Sequence, residues 1–217
     1  LTGVHFVLTD NHSLKTVATD SHRMSQRKIQ LETAGDNFDV VIPSRSLREF
    51  TSVFSDDIET VEVFFSNNQL LFRSQHISFY TRLLEGTYPD TDRLIPKDFN
   101  TTVTFDTANL RHAMERARLL SNATQNGTVK LEIQNGVVSA HVNSPEVGKV
   151  NEELDTLAVS GDDLIISFNP TYLIDALKAV GHEQVQISFI SPIRPFTLVP
   201  NAADEDFIQL ITPVRTN

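Results

Sequence analysis

The sequence predicts an α+β chain of tandem repeated domains, with antiparallel sheets carrying short amphipathic helices. Three observations predict it. Apolar and polar residues alternate over many short runs, two of those runs pass straight into an apolar pattern of helical spacing, and the whole succession occurs twice along the 217 residues.

Taken in order, "TGVHFVLTDNHSLKTVATD" reads as a hairpin, and "TVATDSHRMSQ" (16–26) as a strand, a tight turn and a second strand. "FDVVIPSRSLREFTSVF" (38–54) reads as a strand and then a helix opened by Pro-Ser, with Leu47, Phe50, Thr51 and Phe54 on its buried face. "IETVEVFFSNNQLLFRS" gives strand, turn and strand, and "HISFYTRLLEG" one strand more. "YPDTDRLIPKDFN", with Pro89 and Pro96, is the link to the second copy. This sets the domains at 1–95 and 96–217.

The second copy begins with "NTTVTFDTANLRHAMERARLLSN", a strand over 101–105 and a helix with Leu110, Ala113, Met114, Ala117 and Leu120 inward. No such segment precedes the first hairpin, so the first domain is expected to lack its first strand and helix. "GTVKLEIQNGVVSAHVN" is a hairpin turned at Asn135-Gly136. "LIISFNPTYLIDALKAV" is a strand and a helix with Asn169 as N-cap, Pro170 at the first helical position, and Leu173, Ala176, Leu177 and Val180 on one face. "EQVQISFISPIRPFTLVP" and "DFIQLITPVRT" supply the closing strands. The second domain is thus itself doubled, strand–helix–three strands over 101–143 and again over 164–213, joined by a loop at 144–163, with two helices on one face of antiparallel sheet.

The formal net charge is −10 and is spread, with 9 Lys+Arg against 13 Asp+Glu in residues 1–96 and 9 against 15 in 97–217. Alone, that balance argues against nucleic-acid binding, because phosphate attraction dominates such affinity. Without cysteine there is no disulfide framework, thiolate nucleophile or cysteine zinc site, which fits a cytoplasmic protein. No run reaches the 18 or so apolar residues of a membrane span, and no signal peptide is evident, so no membrane partner is expected. The seven histidines (His5, His12, His22, His76, His112, His141 and His182) show no ligand spacing, so neither metal nor other cofactor is expected. Asp20, Ser21 and His22 are consecutive, whereas a catalytic triad converges from separate segments, so no catalytic residue is assigned. Two readings of "DSHR" remain open, a structural turn and one wall of a partner site; a turn accounts fully for Asp20 and Ser21 but less well for the apolar residues Met24, Leu94, Ile193, Leu210, Ile211, Pro213 and Val214.

"ATDSHRM" (18–24), "YPDTDRLIP" (88–96), "FNPTYLIDAL" (168–177) and "LITPVR" (210–215) resemble the bacterial sliding clamp family, the DNA polymerase III beta subunit, with the motifs in the family's order from Leu1 to the C-terminus. The resemblance implies a DNA-clamp fold, with sheets outside and helices lining a central hole, and a homodimer ring of three-domain chains. It implies a non-catalytic processivity subunit that encircles duplex DNA without reading its sequence. Its partners would be the replicative polymerase, the clamp loader and repair proteins, which carry short peptides of the Gln-Leu-x-Leu-Phe type.

The family's peptide groove, between its second and third domains, maps in a first pocket onto Leu1, Thr19, Ser21, His22, Arg23, Met24, Pro89, Arg93, Leu94, Leu210 and Pro213. An extension uses Asn169, Tyr172, Ile193, Pro195, Ile211, Thr212, Val214 and Arg215. Ser21 stands where glycine is common in the family, Gln125 where some members have an aromatic, and Thr212 and Val214 where some have methionine; stiffer, smaller walls should discriminate more among peptides. Arg45 and Arg48 beside Glu49, and Arg111, Arg116 and Arg118 beside Glu115, give two helices net charges of +1 and +2, while 144–163 carries −5. Arg45, Arg48, Arg111 and Arg118 are the expected DNA-facing groups; a few weak phosphate contacts suit sliding. The alternative is an acidic protein-interaction module that never meets DNA.

Overall fold

A computed structural model describes residues 2–54, 58–121, 127–144, 148–203 and 206–215. The chain divides into two compact units: the first holds residues up to Asp20 and Gln26–Asp90, and the second holds Ser21–Ser25 and everything from Thr91 onward.

In the first unit, β1 (Gly3–Thr9) pairs antiparallel with β2 (Ser13–Thr19) on one side and β4 (Phe38–Pro43) on the other. The β1–β2 turn is made by Asp10 and Asn11, both at positive φ (51° and 60°), which their short polar side chains tolerate. β3 begins at Arg23 and runs to Gln30; its Gln26–Gln30 part belongs to this unit and follows β2 in the sheet. After β4 the chain enters α1 (Ser44–Val53), then a three-stranded meander, β5 (Glu62–Ser66), β6 (Gln69–Ser74) and β7 (Ile77–Arg82), in that spatial order.

Helix α1 is lightly held. Pro43 precedes it and gives no side-chain cap, and none of its residues is fully buried. Leu47 and Phe50 pack on a small core of Ile42, Phe54, Leu70 and Phe72, where Phe50 lies 4.4 Å from Phe54 and 4.5 Å from Phe72 between ring centroids. Thr51, expected inward, is exposed; its hydroxyl donates back to the Arg48 carbonyl at 2.9 Å. Ser46 takes a more inward place and accepts a 2.7 Å hydrogen bond from the Thr81 hydroxyl.

The second unit has two sheets rather than one. In the first, β8 (Thr101–Asp106), β14 (Gln184–Phe189), β15 (Phe196–Pro200) and β16 (Asp206–Ile211) lie side by side, with β12 (Ala158–Gly161) outside β8. In the second, the order is β11 (Gly148–Glu153), β10 (Val137–Ser144), β9 (Val129–Gln134) and β13 (Leu164–Phe168). The segment read as an acidic loop therefore holds two edge strands, β11 and β12. The turn at Asn135-Gly136 is as expected for a two-residue hairpin, with φ of 51° and 79°.

Helix α2 (Thr107–Ser121) packs against α3 (Pro170–Val180), against β8 of one sheet and against β9 and β10 of the other. Its inward Leu110, Ala113, Met114 and Ala117 are buried, as the spacing predicts, and Leu120 packs partly covered at the edge. Helix α3 is locally over-determined: the Asn169 side chain accepts from the Thr171 amide at 2.9 Å, Pro170 opens the first turn, and Gly181 closes the last at φ 72°. A cap of this kind contributes about 1 kcal/mol. The core runs from Val103 to Ile211 and includes Phe105, Met114, Phe168, Ile174, Phe189 and Phe196. Among the described residues, no helix is long and apolar enough to cross a membrane.

Candidate functional site

Of the groove residues expected from the sequence, all but Leu1, Thr19 and Pro89 belong to the second unit. Leu1 and Gln125 lie outside the described residues. In the first unit, Thr19 ends β2, half-buried, and Pro89 is exposed. Pro89 follows Tyr88, whose ring stacks on His5 at 4.6 Å and whose hydroxyl donates to the Val17 carbonyl at 3.3 Å. Burial raises the Tyr88 phenol above its ordinary pKa, so the hydroxyl keeps its proton and this bond. His5 is also 2.6 Å from Asp39, which fixes the ring under Tyr88.

In the second unit, Ser21–Ser25 is tied to the C-terminal tail by its backbone: the Thr212 amide donates to the His22 carbonyl at 2.8 Å, and the Gln209 amide group donates to the Ser25 hydroxyl at 3.0 Å. The tail is further fixed by the Val214 amide, which donates to the Ser167 carbonyl at 2.7 Å. "LITPVR" is thus a docked segment rather than a fraying end.

On this frame a group of side chains gathers at the start of α3. Tyr172 takes the Arg23 guanidinium over its ring at 4.7 Å and has the His22 ring nearly parallel to it, 14° and 5.9 Å between centroids. Arg23 also donates to Asp175 at 2.6 Å. Asn169, one of the expected site residues, is occupied by capping. Asp175 was not singled out in the sequence, although it is the one acid on an otherwise largely apolar helix.

The apolar candidates separate into two sets. Met24, Leu210 and Ile211 are 1%, 4% and 1% exposed, and Ile211 belongs to the large core. Leu94, Ile193 and Val214 are 51%, 59% and 37% exposed and remain available. Leu94 closes a single 3-10 turn (Asp92–Leu94) whose shape is set by its amide donating to the carbonyl of buried Thr91 at 3.0 Å. Ser21, Arg93 and Arg215 are exposed; Pro195, Thr212 and Pro213 are half-buried.

The expected DNA-facing arginines sit on α1 and α2, and several are paired along their own helix. Arg45 reaches Glu49 at 3.0 Å and Arg111 reaches Glu115 at 2.9 Å, both four residues on, while Arg48 is exposed and Arg118 half-buried. Such pairs are worth about 0.3–0.5 kcal/mol and open easily to a competing phosphate. Arg116 is engaged by Glu152 of β11, whose hydrogen bond raises its pKa further above the usual arginine value. Among the described residues, no group of three or more His, Asp or Glu is placed to hold a metal ion.

The family model of the DNA polymerase III beta subunit, central domain, matches residues 1–90, and that of its C-terminal domain matches residues 92–215. A beta sliding clamp of Streptococcus pneumoniae is 76% identical over all 217 residues, and one of Lactococcus lactis is 55% identical; the chain spans 57% of the length of each. Among solved structures, the DNA polymerase III beta chain of Streptococcus pneumoniae superposes with a TM-score of 0.97 at 76% identity, over 99% of this chain and 57% of that one. The DNA polymerase sliding clamp of Bacillus subtilis gives 0.94 at 38% identity, over 100% and 57%. With an α+β fold of antiparallel sheets and matches to two successive domain models over nearly its whole length, the chain belongs to the DNA polymerase III beta subunit family.

Proposed function

We propose that this chain is part of a sliding clamp, a non-catalytic ring that encircles duplex DNA and tethers the replicative polymerase, and that it takes up short linear peptides of polymerase, clamp loader and repair proteins. The observation that carries this reading is the pair of consecutive domain-model matches along the chain, beside relatives named beta sliding clamps. The grouping of His22, Arg23 and Tyr172 on a hydrogen-bonded backbone supports the peptide part, and Leu94, Ile193 and Val214 are exposed apolar side chains of the same unit.

The test is a titration of the chain with a fluorescent Gln-Leu-x-Leu-Phe peptide. Saturable binding is expected, weakened at least about tenfold by Leu94→Asp with Ile193→Asp, both exposed and hence harmless to folding. Absence of binding by folded wild-type chain would defeat the peptide reading. For the ring itself, neutralising Arg45, Arg48, Arg111 and Arg118 together in the full-length protein should flatten the salt dependence of its DNA association; an unchanged slope would favour a module that never meets DNA.

A further inference from the structure

Tyr172 and Asp175 are three residues apart on α3 and so share one face of the helix. Arg23, arriving from a different part of the chain, meets both: its Nη1 donates to the Asp175 carboxylate at 2.6 Å while its Cζ lies 4.7 Å from the centre of the Tyr172 ring. Asp175 and Arg23 have side chains 47% and 37% exposed. An ion pair so open to water adds little to stability, so its effect on the fold is small. Its effect on placement is larger. A guanidinium on a long flexible stem has many rotamers, and a short charged hydrogen bond at one end selects those that lay its plane over the tyrosine. The His22 backbone is meanwhile held by the Thr212 amide, so the imidazole and the guanidinium are both anchored beside the same ring.

Building on the peptide-binding reading, we propose that Asp175 is a positioning residue of that surface: it holds Arg23 over Tyr172, so that His22, Tyr172 and Arg23 offer one fixed face to an aromatic or aliphatic side chain of the bound peptide. Pre-ordering this face removes rotamer entropy that binding would otherwise have to oppose.

The experiment compares wild type, Asp175→Asn and Asp175→Glu in two readouts. The first is affinity for the fluorescent peptide at low and high salt. The second is the set of tyrosine ring resonances, read selectively in protein carrying isotope-labelled tyrosine, of which the chain has three. In Asp175→Asn, the Tyr172 ring resonances should shift while those of Tyr80 and Tyr88 stay put, and peptide affinity should fall about three- to tenfold with a weaker salt dependence. Asp175→Glu should restore both. Unchanged Tyr172 resonances in Asp175→Asn would overturn the proposal, as would peptide affinity equal to wild type. Should wild type itself bind no peptide, the peptide reading fails separately, and the ring resonances still decide whether Asp175 positions Tyr172.

Discussion

Met24→Asp is expected to destabilise the second unit by about 3–5 kcal/mol, and Leu210→Asp by a similar amount. Both side chains are almost wholly withdrawn from water, Met24 as the second residue of β3 and Leu210 one residue before the end of β16. An aspartate at either place removes the packing of a long apolar side chain and must be buried as a charge or take up a proton, and either route costs folding free energy. In thermal denaturation this reads as a fall in Tm of roughly 10–20 °C, whereas Ile193→Asp, on the surface, should move it by no more than a degree or two. Peptide binding lost in Met24→Asp would therefore have to be read beside its Tm, since a fall in folding alone removes binding. A Tm within two degrees of wild type for Met24→Asp would show that the side chain lies in a yielding, solvent-reachable place.

The two units should also open at very different rates. The second is built on a continuous core from Val103 to Ile211, with α3 capped at both ends and six of its residues buried. The first has a small cluster around Ile42, Phe54, Leu70 and Phe72, a helix with no side-chain cap and no buried residue, and a strand, β5, whose every residue is exposed. Fewer buried apolar contacts lower the free energy of local opening. Amides of α1 and β5–β7 are expected to exchange with deuterium at least about 100-fold faster than those of α2, α3 and β14–β15, a difference of roughly 3 kcal/mol in opening free energy. Equal protection across both units would refute this ordering.

Much of this architecture is legible in the sequence, for reasons tied to particular residues. Asn169-Pro170 and Gly181 bracket α3 because capping chemistry is local, and Asn135-Gly136 sets its hairpin because few other pairs take positive φ twice. Strand β11 is different. "GKVNEE" offers one apolar residue, Val150, and is a strand only because β10 supplies the hydrogen-bonding partner; as an outer strand it needs no buried alternation. Leu47 and Phe50 face inward as the spacing predicts and Thr51 does not, since an amphiphilic pattern on a lightly packed helix leaves the phase loose by one residue. Surface and interior are not separable among the candidate site residues by sequence, because Met24, Leu210 and Ile211 carry the same apolar signature as Ile193 and Leu94. Asp175 escaped because its partner Arg23 is 152 residues away, and nothing local announces such a pair.

Strand β5 stands at the end of its three-stranded sheet, with Val63, Phe64 and Phe65 each at least 40% exposed and Arg73 laid across Phe64 from the neighbouring strand. Its single charge, Glu62, is already engaged by Arg73 at 2.9 Å, and it contains neither lysine nor proline. An edge of this composition is a template for another strand, and in the second copy of the repeat the matching place beside β14 is filled by β8, which leaves no such row of backbone groups unpaired there.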